Sequence, residues 1–271
     1  MLSFRLVCAF RCICMYILFI CVTLFNCILF YFFRKPNNLF EQTSFAIGQL
    51  LQFFNCNIDK LFPTFFRISD KSEQLKRVTK CINSNHPVDK CRKMMSQSCT
   101  KYVKLVKTIR FSLRSLQKIV HDMQRTKIIY LTRDPKAIIN SRFRSPFLRN
   151  ITIESAAHAI CDRYKDDFHT FLKLKNTFPL RMKMVSYEKL IEQPVLVAKD
   201  IYRFLNLTYT NDISTWIKTV MSSGKTSGYY GTHRANATQT ANQWRVTMST
   251  SNKTKVDMIC GNLYKDLTSI I

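Results

Sequence analysis

Thr132-Arg-Asp-Pro-Lys-Ala-Ile-Ile-Asn-Ser-Arg142 is the stretch whose residue types and spacing say most about chemistry. Pro135 suits the first position of a helix, where its missing N–H would go unpaired in any case. Asp134, just before it, is a good N-cap. Lys127-Ile-Ile-Tyr-Leu-Thr132 reads as a strand, so Arg133 stands where a strand ends and a helix begins. Open α/β sheets bind ligands at the carboxyl ends of their strands. Ser141 follows about two helical turns later and can offer a hydroxyl to the same anion. A guanidinium with a hydroxyl makes a phosphate grip. The same residues also make an ordinary helix start.

The elements that must position such a grip are legible on both sides of it. Tyr102-Val-Lys-Leu-Val-Lys-Thr-Ile109 reads as a strand, and Leu113, Leu116, Val120 and Met123 recur at helical spacing. Strand, helix and strand within about thirty residues make a βαβ unit, with parallel pairing and a right-handed crossover. Ile153, Ala157, Ile160, Tyr164, Phe168 and Phe171 mark another helix. Met182 to Ser186 reads as a third strand, and Val197, Ala198, Ile201, Phe204 and Leu205 form the apolar face of the helix after it. Phe45 to Phe54 also reads as helical. Residues 71–100, polar and carrying three cysteines, read as an irregular excursion stapled by them. The fold class is α/β, a parallel β-sheet flanked by helices.

Composition narrows the ligand. The chain has 271 residues, 42 Lys+Arg against 17 Asp+Glu for a net charge of +25, and 46% hydrophobic residues, enough apolar surface to exclude a disordered basic tail. Its five glycines cannot build G-x-G-x-x-G or G-x-x-x-x-G-K-[ST], so a Rossmann dinucleotide site and a Walker motif are both excluded. Residues 60–150 hold 22 Lys+Arg and 5 Asp+Glu, a local net charge of +17 that calls for an anionic partner.

Residues 12–33 carry no charge. As a helix they would span roughly 33 Å, the thickness of a bilayer core. They read as an uncleaved transmembrane signal anchor, with residues 1–11 a short cytoplasmic tail and 36–271 one lumenal domain. Four glycosylation sequons, at Asn150, Asn206, Asn236 and Asn252, fit a type II glycoprotein. Outside the apolar run and its flank, Cys56, Cys81, Cys91, Cys99, Cys161 and Cys260 allow 15 disulfide pairings. No C-x-x-C pair occurs among them, which argues against a metal site. A lumenal domain rarely meets nucleic acid, so phosphorylated or sulfated small molecules and acidic glycans are the better partners.

Tyr130-Leu-Thr-Arg-Asp-Pro-Lys-Ala-Ile-Ile-Asn-Ser-Arg142 resembles the 3′-phosphate motif of Golgi carbohydrate sulfotransferases, the enzymes that sulfate galactose, N-acetylgalactosamine or N-acetylglucosamine at the 6-hydroxyl. Val106-Lys-Thr-Ile-Arg110 is similar to the strand before that motif. Ser186-Tyr-Glu-Lys-Leu-Ile-Glu-Gln-Pro194 with Ile201-Tyr-Arg-Phe-Leu-Asn-Leu207, and Tyr230-Gly-Thr-His-Arg234 with Gln243-Trp-Arg245, resemble later blocks in the same order. The resemblance implies a sulfotransferase fold, P-loop NTPase-like, behind one transmembrane helix. It also implies 3′-phosphoadenosine 5′-phosphosulfate (PAPS) as sulfuryl donor, no metal, a glycan acceptor, and residence in the Golgi membrane. A homo-oligomer is compatible with it. Arg133 and Ser141 would hold the 3′-phosphate, and Gly231 and Arg234 would close over the cofactor.

The family's 5′-phosphosulfate loop aligns only with Glu41-Gln-Thr-Ser-Phe-Ala-Ile-Gly-Gln-Leu50. In that register Thr43 replaces a glycine, Ser44 keeps its hydroxyl, and Glu41 replaces an arginine. The family's Glu-Pro, which could supply the base, falls on Phe62-Pro63, so no catalytic residue is assigned. Two readings follow: a carbohydrate sulfotransferase, or a catalytically impaired relative that binds a phosphonucleotide or acidic glycan without transfer.

Overall fold

The computed structural model describes residues 16–21, 39–61, 73–100, 103–108, 111–143, 151–222, 224 and 235–269. Four parallel strands, β1 (Tyr16–Cys21), β2 (Lys104–Thr108), β3 (Thr126–Thr132) and β4 (Met182–Ser186), lie in the order β2-β1-β3-β4. Ile128, Ile129, Tyr130 and Leu131 of β3 are all buried, because helices cover both faces of the sheet.

The expected transmembrane helix is not shown among the described residues. Tyr16–Cys21, the early part of the uncharged run, pairs with β2 on one side and β3 on the other. An unbroken apolar run suits a central strand of a parallel sheet as well as a membrane helix, and periodicity alone does not separate the two. The sheet domain therefore takes in residues ahead of 36, and β1 lies between the two strands of the expected βαβ unit. Among the described residues no helix is long and apolar enough to cross a membrane.

On one face, α1 (Leu39–Phe54), α4 (Leu113–Asp122), α6 (Ile153–Thr177) and α12 (Thr250–Cys260) supply Phe54, Leu116, Tyr164, Phe171 and Val256 to a core with Ile128 and Tyr130. On the other face, α7 (Tyr187–Glu192), α8 (Pro194–Leu205) and α10 (Ala237–Asn242) pack Leu190, Ile201 and Ala241 against Ile129 and Leu131. α5 (Pro135–Phe143) leads from β3. α9 (Asn211–Met221) follows α8, α11 (Trp244–Thr247) packs on α5, and α13 (Leu263–Ser269) ends the described chain.

Residues 73–99 are not irregular. They form α2 (Glu73–Asn83) and α3 (Val88–Cys99), which enclose a small core of Ile58, Leu61, Val78 and Met95. That core is too small to hold two short helices by burial alone, and disulfides Cys81–Cys91 and Cys56–Cys99 staple it. Cys161–Cys260 joins α6 to α12, so all six cysteines of the sequence expectation are paired.

Candidate functional site

The register of the sheet places the carboxyl ends of β1, β3 and β4 side by side: Cys21 lies opposite Leu131, and Thr132 opposite Ser186. Arg133 follows Thr132 directly. α5 begins at Pro135 as the sequence predicts, and the Asp134 carboxylate accepts the Lys136 N–H at 2.8 Å as its N-cap. Burial, the largest influence, raises the Asp134 pKa above the usual carboxylate value, against the lowering effect of Lys136.

Arg133 is held from two directions. The Tyr164 hydroxyl accepts the Arg133 N–H at 3.1 Å and donates to the Arg133 carbonyl at 3.0 Å. The guanidinium lies 4.4 Å from the centre of the Tyr187 ring, a cation–π stack that braces it from below. Its Nε is buried with no hydrogen-bond partner among the described residues, and no carboxylate there forms an ion pair with it. A half-buried guanidinium with no carboxylate partner among the described residues, at the end of a sheet strand, fits an anion.

Ser141 is half-buried on α5, two turns on from Arg133, and makes a polar contact of its own. Arg142, beside it, adds a cation the sequence reading did not single out. Burial, and then the like charge of Arg163, holds Arg142 below the usual guanidinium value. Arg163 donates to the Phe111 carbonyl at 2.6 Å and lies 3.6 Å from the buried Asp167 carboxylate. A cavity of about 230 Å³ opens between the start of α5 and the α12–α13 turn, lined by Asp134, Lys136, Asp257 and Tyr264.

Thr43 and Ser44 do not form a loop. Both lie inside α1, and Ser44 is exposed. A phosphosulfate loop sits at the end of a strand, where backbone N–H groups are still free, so the helical Thr43 and Ser44 do not by themselves form one. Residues 22–38, between β1 and α1 in the chain, lie outside the described residues. So do Gly231 and Arg234, as well as Phe62, Pro63 and Asn150. Asn206 and Asn236 are exposed, while Asn252 is half-buried in the first turn of α12.

Sequence reasoning missed the roles of Tyr164, Tyr187 and Glu188. Tyr164 sat on a helical apolar stripe and read as core. Tyr187 and Glu188 lay in a recognised block, but nothing in their local pattern aimed them at Arg133. Only the pairing of β3 with β4 brings the two turns together.

Residues 64–268 match the sulfotransferase domain family. Carbohydrate sulfotransferase 1 of Rattus norvegicus is 27% identical over 165 residues, covering 53% of this chain and 39% of that protein. Carbohydrate sulfotransferase 2 of Homo sapiens is 26% identical over 212 residues, covering 60% and 39%. The chain thus spans less than half the length of either relative. Among solved structures, mouse sulfotransferase SULT7A1 complexed with PAP aligns over 97% of this chain and 91% of that one, at 13% identity and a TM-score of 0.46.

Proposed function

We propose that this chain, which belongs to the sulfotransferase domain family, transfers a sulfuryl group from PAPS to a glycan hydroxyl. The observation that carries the proposal is Arg133: a guanidinium whose buried Nε has no hydrogen-bond partner among the described residues, stacked on Tyr187 at the carboxyl end of β3. Arg133 and Ser141 would hold the 3′-phosphate, with Arg142 adding positive charge nearby. When bound, PAPS supplies the electrophilic sulfur. The chain supplies orientation and a field that favours the anion. Gly231 and Arg234 would complete the enclosure. The similarity to carbohydrate sulfotransferases supports a glycan acceptor.

Three disulfides fit an oxidising compartment, and the exposed sequons at Asn206 and Asn236 fit passage through the secretory route, so the Golgi lumen is the compartment we infer. Membrane attachment through residues 12–33 does not enter this reading, because Tyr16–Cys21 is a strand of the sheet.

Glu41 and Thr43, which stand where the resemblance puts an arginine and a glycine, favour a second reading, a relative that binds the phosphonucleotide without transfer. Labelled sulfate separates the two. Incubated with PAPS and a mixed glycan acceptor, the purified full chain incorporates label, and Arg133→Ala lowers incorporation by about ten- to a hundredfold, the scale of a lost charge-assisted hydrogen bond. Binding of 3′-phosphoadenosine 5′-phosphate (PAP) with no incorporation selects the second reading.

A further inference from the structure

The Glu188 carboxylate joins three segments at one point. Its Oε1 accepts the Asp134 backbone N–H at 3.1 Å. Its Oε2 accepts the Ser186 hydroxyl at 3.2 Å and the Tyr264 hydroxyl of α13. The Asp134 N–H belongs to the peptide unit whose carbonyl is that of Arg133, and that carbonyl accepts the Tyr164 hydroxyl. One peptide plane is therefore pinned on its N–H side by α7 and on its C=O side by α6. Pinning that plane fixes the backbone from which the Arg133 side chain reaches the Tyr187 ring.

We propose that Glu188 is a positioning residue for anion recognition: it locks the Arg133–Asp134 peptide plane and so fixes the aim of the Arg133 guanidinium. Tyr264 extends the lock to α13, so the C-terminal helix participates in the phosphate site without touching the phosphate. Its oxygens accept a backbone N–H and two hydroxyls, and among the described residues Glu188 forms no ion pair with Arg133. Carboxylates that accept several donors hold geometry well, since each bond to a charged acceptor is stronger than a neutral one. The tie of Lys136 to Asp257 supports the same turn from α12. The Cys161–Cys260 disulfide fixes α12 against the helix that carries Tyr164.

This inference rests on Arg133 as the phosphate ligand, and the experiment separates the two. PAP affinity is measured by calorimetry on the full chain and on Arg133→Ala, Glu188→Ala, Glu188→Gln and Tyr264→Phe, with thermal midpoints recorded alongside. Glu188→Ala weakens PAP binding about tenfold, the scale of one lost charge-assisted bond. Glu188→Gln, which keeps an oxygen for the Asp134 N–H, recovers most of that loss. Tyr264→Phe, the variant least able to disturb folding, weakens binding in the same direction by about threefold, as for one lost hydroxyl bond. In the Arg133→Ala background Glu188→Ala has no further effect, because the group it aims is gone. Unchanged affinity in both Glu188→Ala and Tyr264→Phe, or an additive loss in the Arg133→Ala background, overturns the role of Glu188 alone. A wild-type chain that does not bind PAP overturns the reading of Arg133, and this inference with it.

Discussion

Tyr164 makes two opposite hydrogen bonds with one residue, accepting from the Arg133 N–H and donating to its carbonyl. Both backbone groups lie at the end of a buried strand, where an unpaired polar group costs about 1–3 kcal/mol. Tyr164→Phe should therefore lower stability by about that amount, read as a fall in thermal midpoint, and weaken PAP binding as well. Asp167, fully buried, accepts the Leu113 N–H at 2.6 Å at the start of α4 and the Tyr130 hydroxyl at 3.3 Å. Burial raises its pKa, as it does for Asp134. An acid whose folded pKa is raised binds more protons when folded, so stability falls as pH rises from the unfolded value, about 3.9, to the raised folded value. Asp167→Asn should flatten that part of the stability–pH curve, which thermal melts across the acidic range would show; an unchanged slope rejects the assignment. Arg133, Asp134 and Pro135 were legible in the sequence because capping is local. Glu188 and Tyr187 were not. Glu188 meets Asp134 from 54 positions along the chain.

At the scale of elements, the start of α5 was readable and strand order was not. Pro194 at the start of α8 and Asn206 just past its end, at φ 56°, follow the usual asymmetry of helix termini. That left-handed position suits asparagine, and Asn206→Val should cost about 1–2 kcal/mol through strain alone. The run containing Tyr16–Cys21 read as membrane because an unbroken apolar run suits a central strand of a parallel sheet as well as a membrane helix. The six cysteines announced disulfides but not their pairing, because pairing depends on which helices the sheet brings together. The Cys161–Cys260 bridge closes the longest loop, with a sequence separation of 99. Replacing both cysteines by alanine should remove up to about 4.7 kcal/mol by the chain-entropy argument. A melt that shifts by only a degree or two would contradict it.

For the whole molecule, the net charge of +25 gains a location. The basic segment 60–150, net charge +17, contains both β3 and the Arg133 turn, so the excess of positive charge falls in the same stretch of chain as the candidate ligand site. Binding of an acidic glycan or of PAP should therefore weaken steeply with added salt, and a flat salt dependence would oppose this picture. Expressed through the secretory route, the chain should carry glycans at the exposed Asn206 and Asn236, seen as a mass shift lost in the Asn→Gln variants.

The central claim is that Arg133 and Ser141 read a 3′-phosphate, and it is tested by comparing PAP with adenosine 5′-monophosphate, which lacks that group. Calorimetry on the full chain should show PAP binding at least about tenfold tighter, the worth of a charge-assisted contact, with the difference collapsing in Arg133→Ala. Equal affinity for the two nucleotides, or a preference that survives Arg133→Ala, would contradict the account.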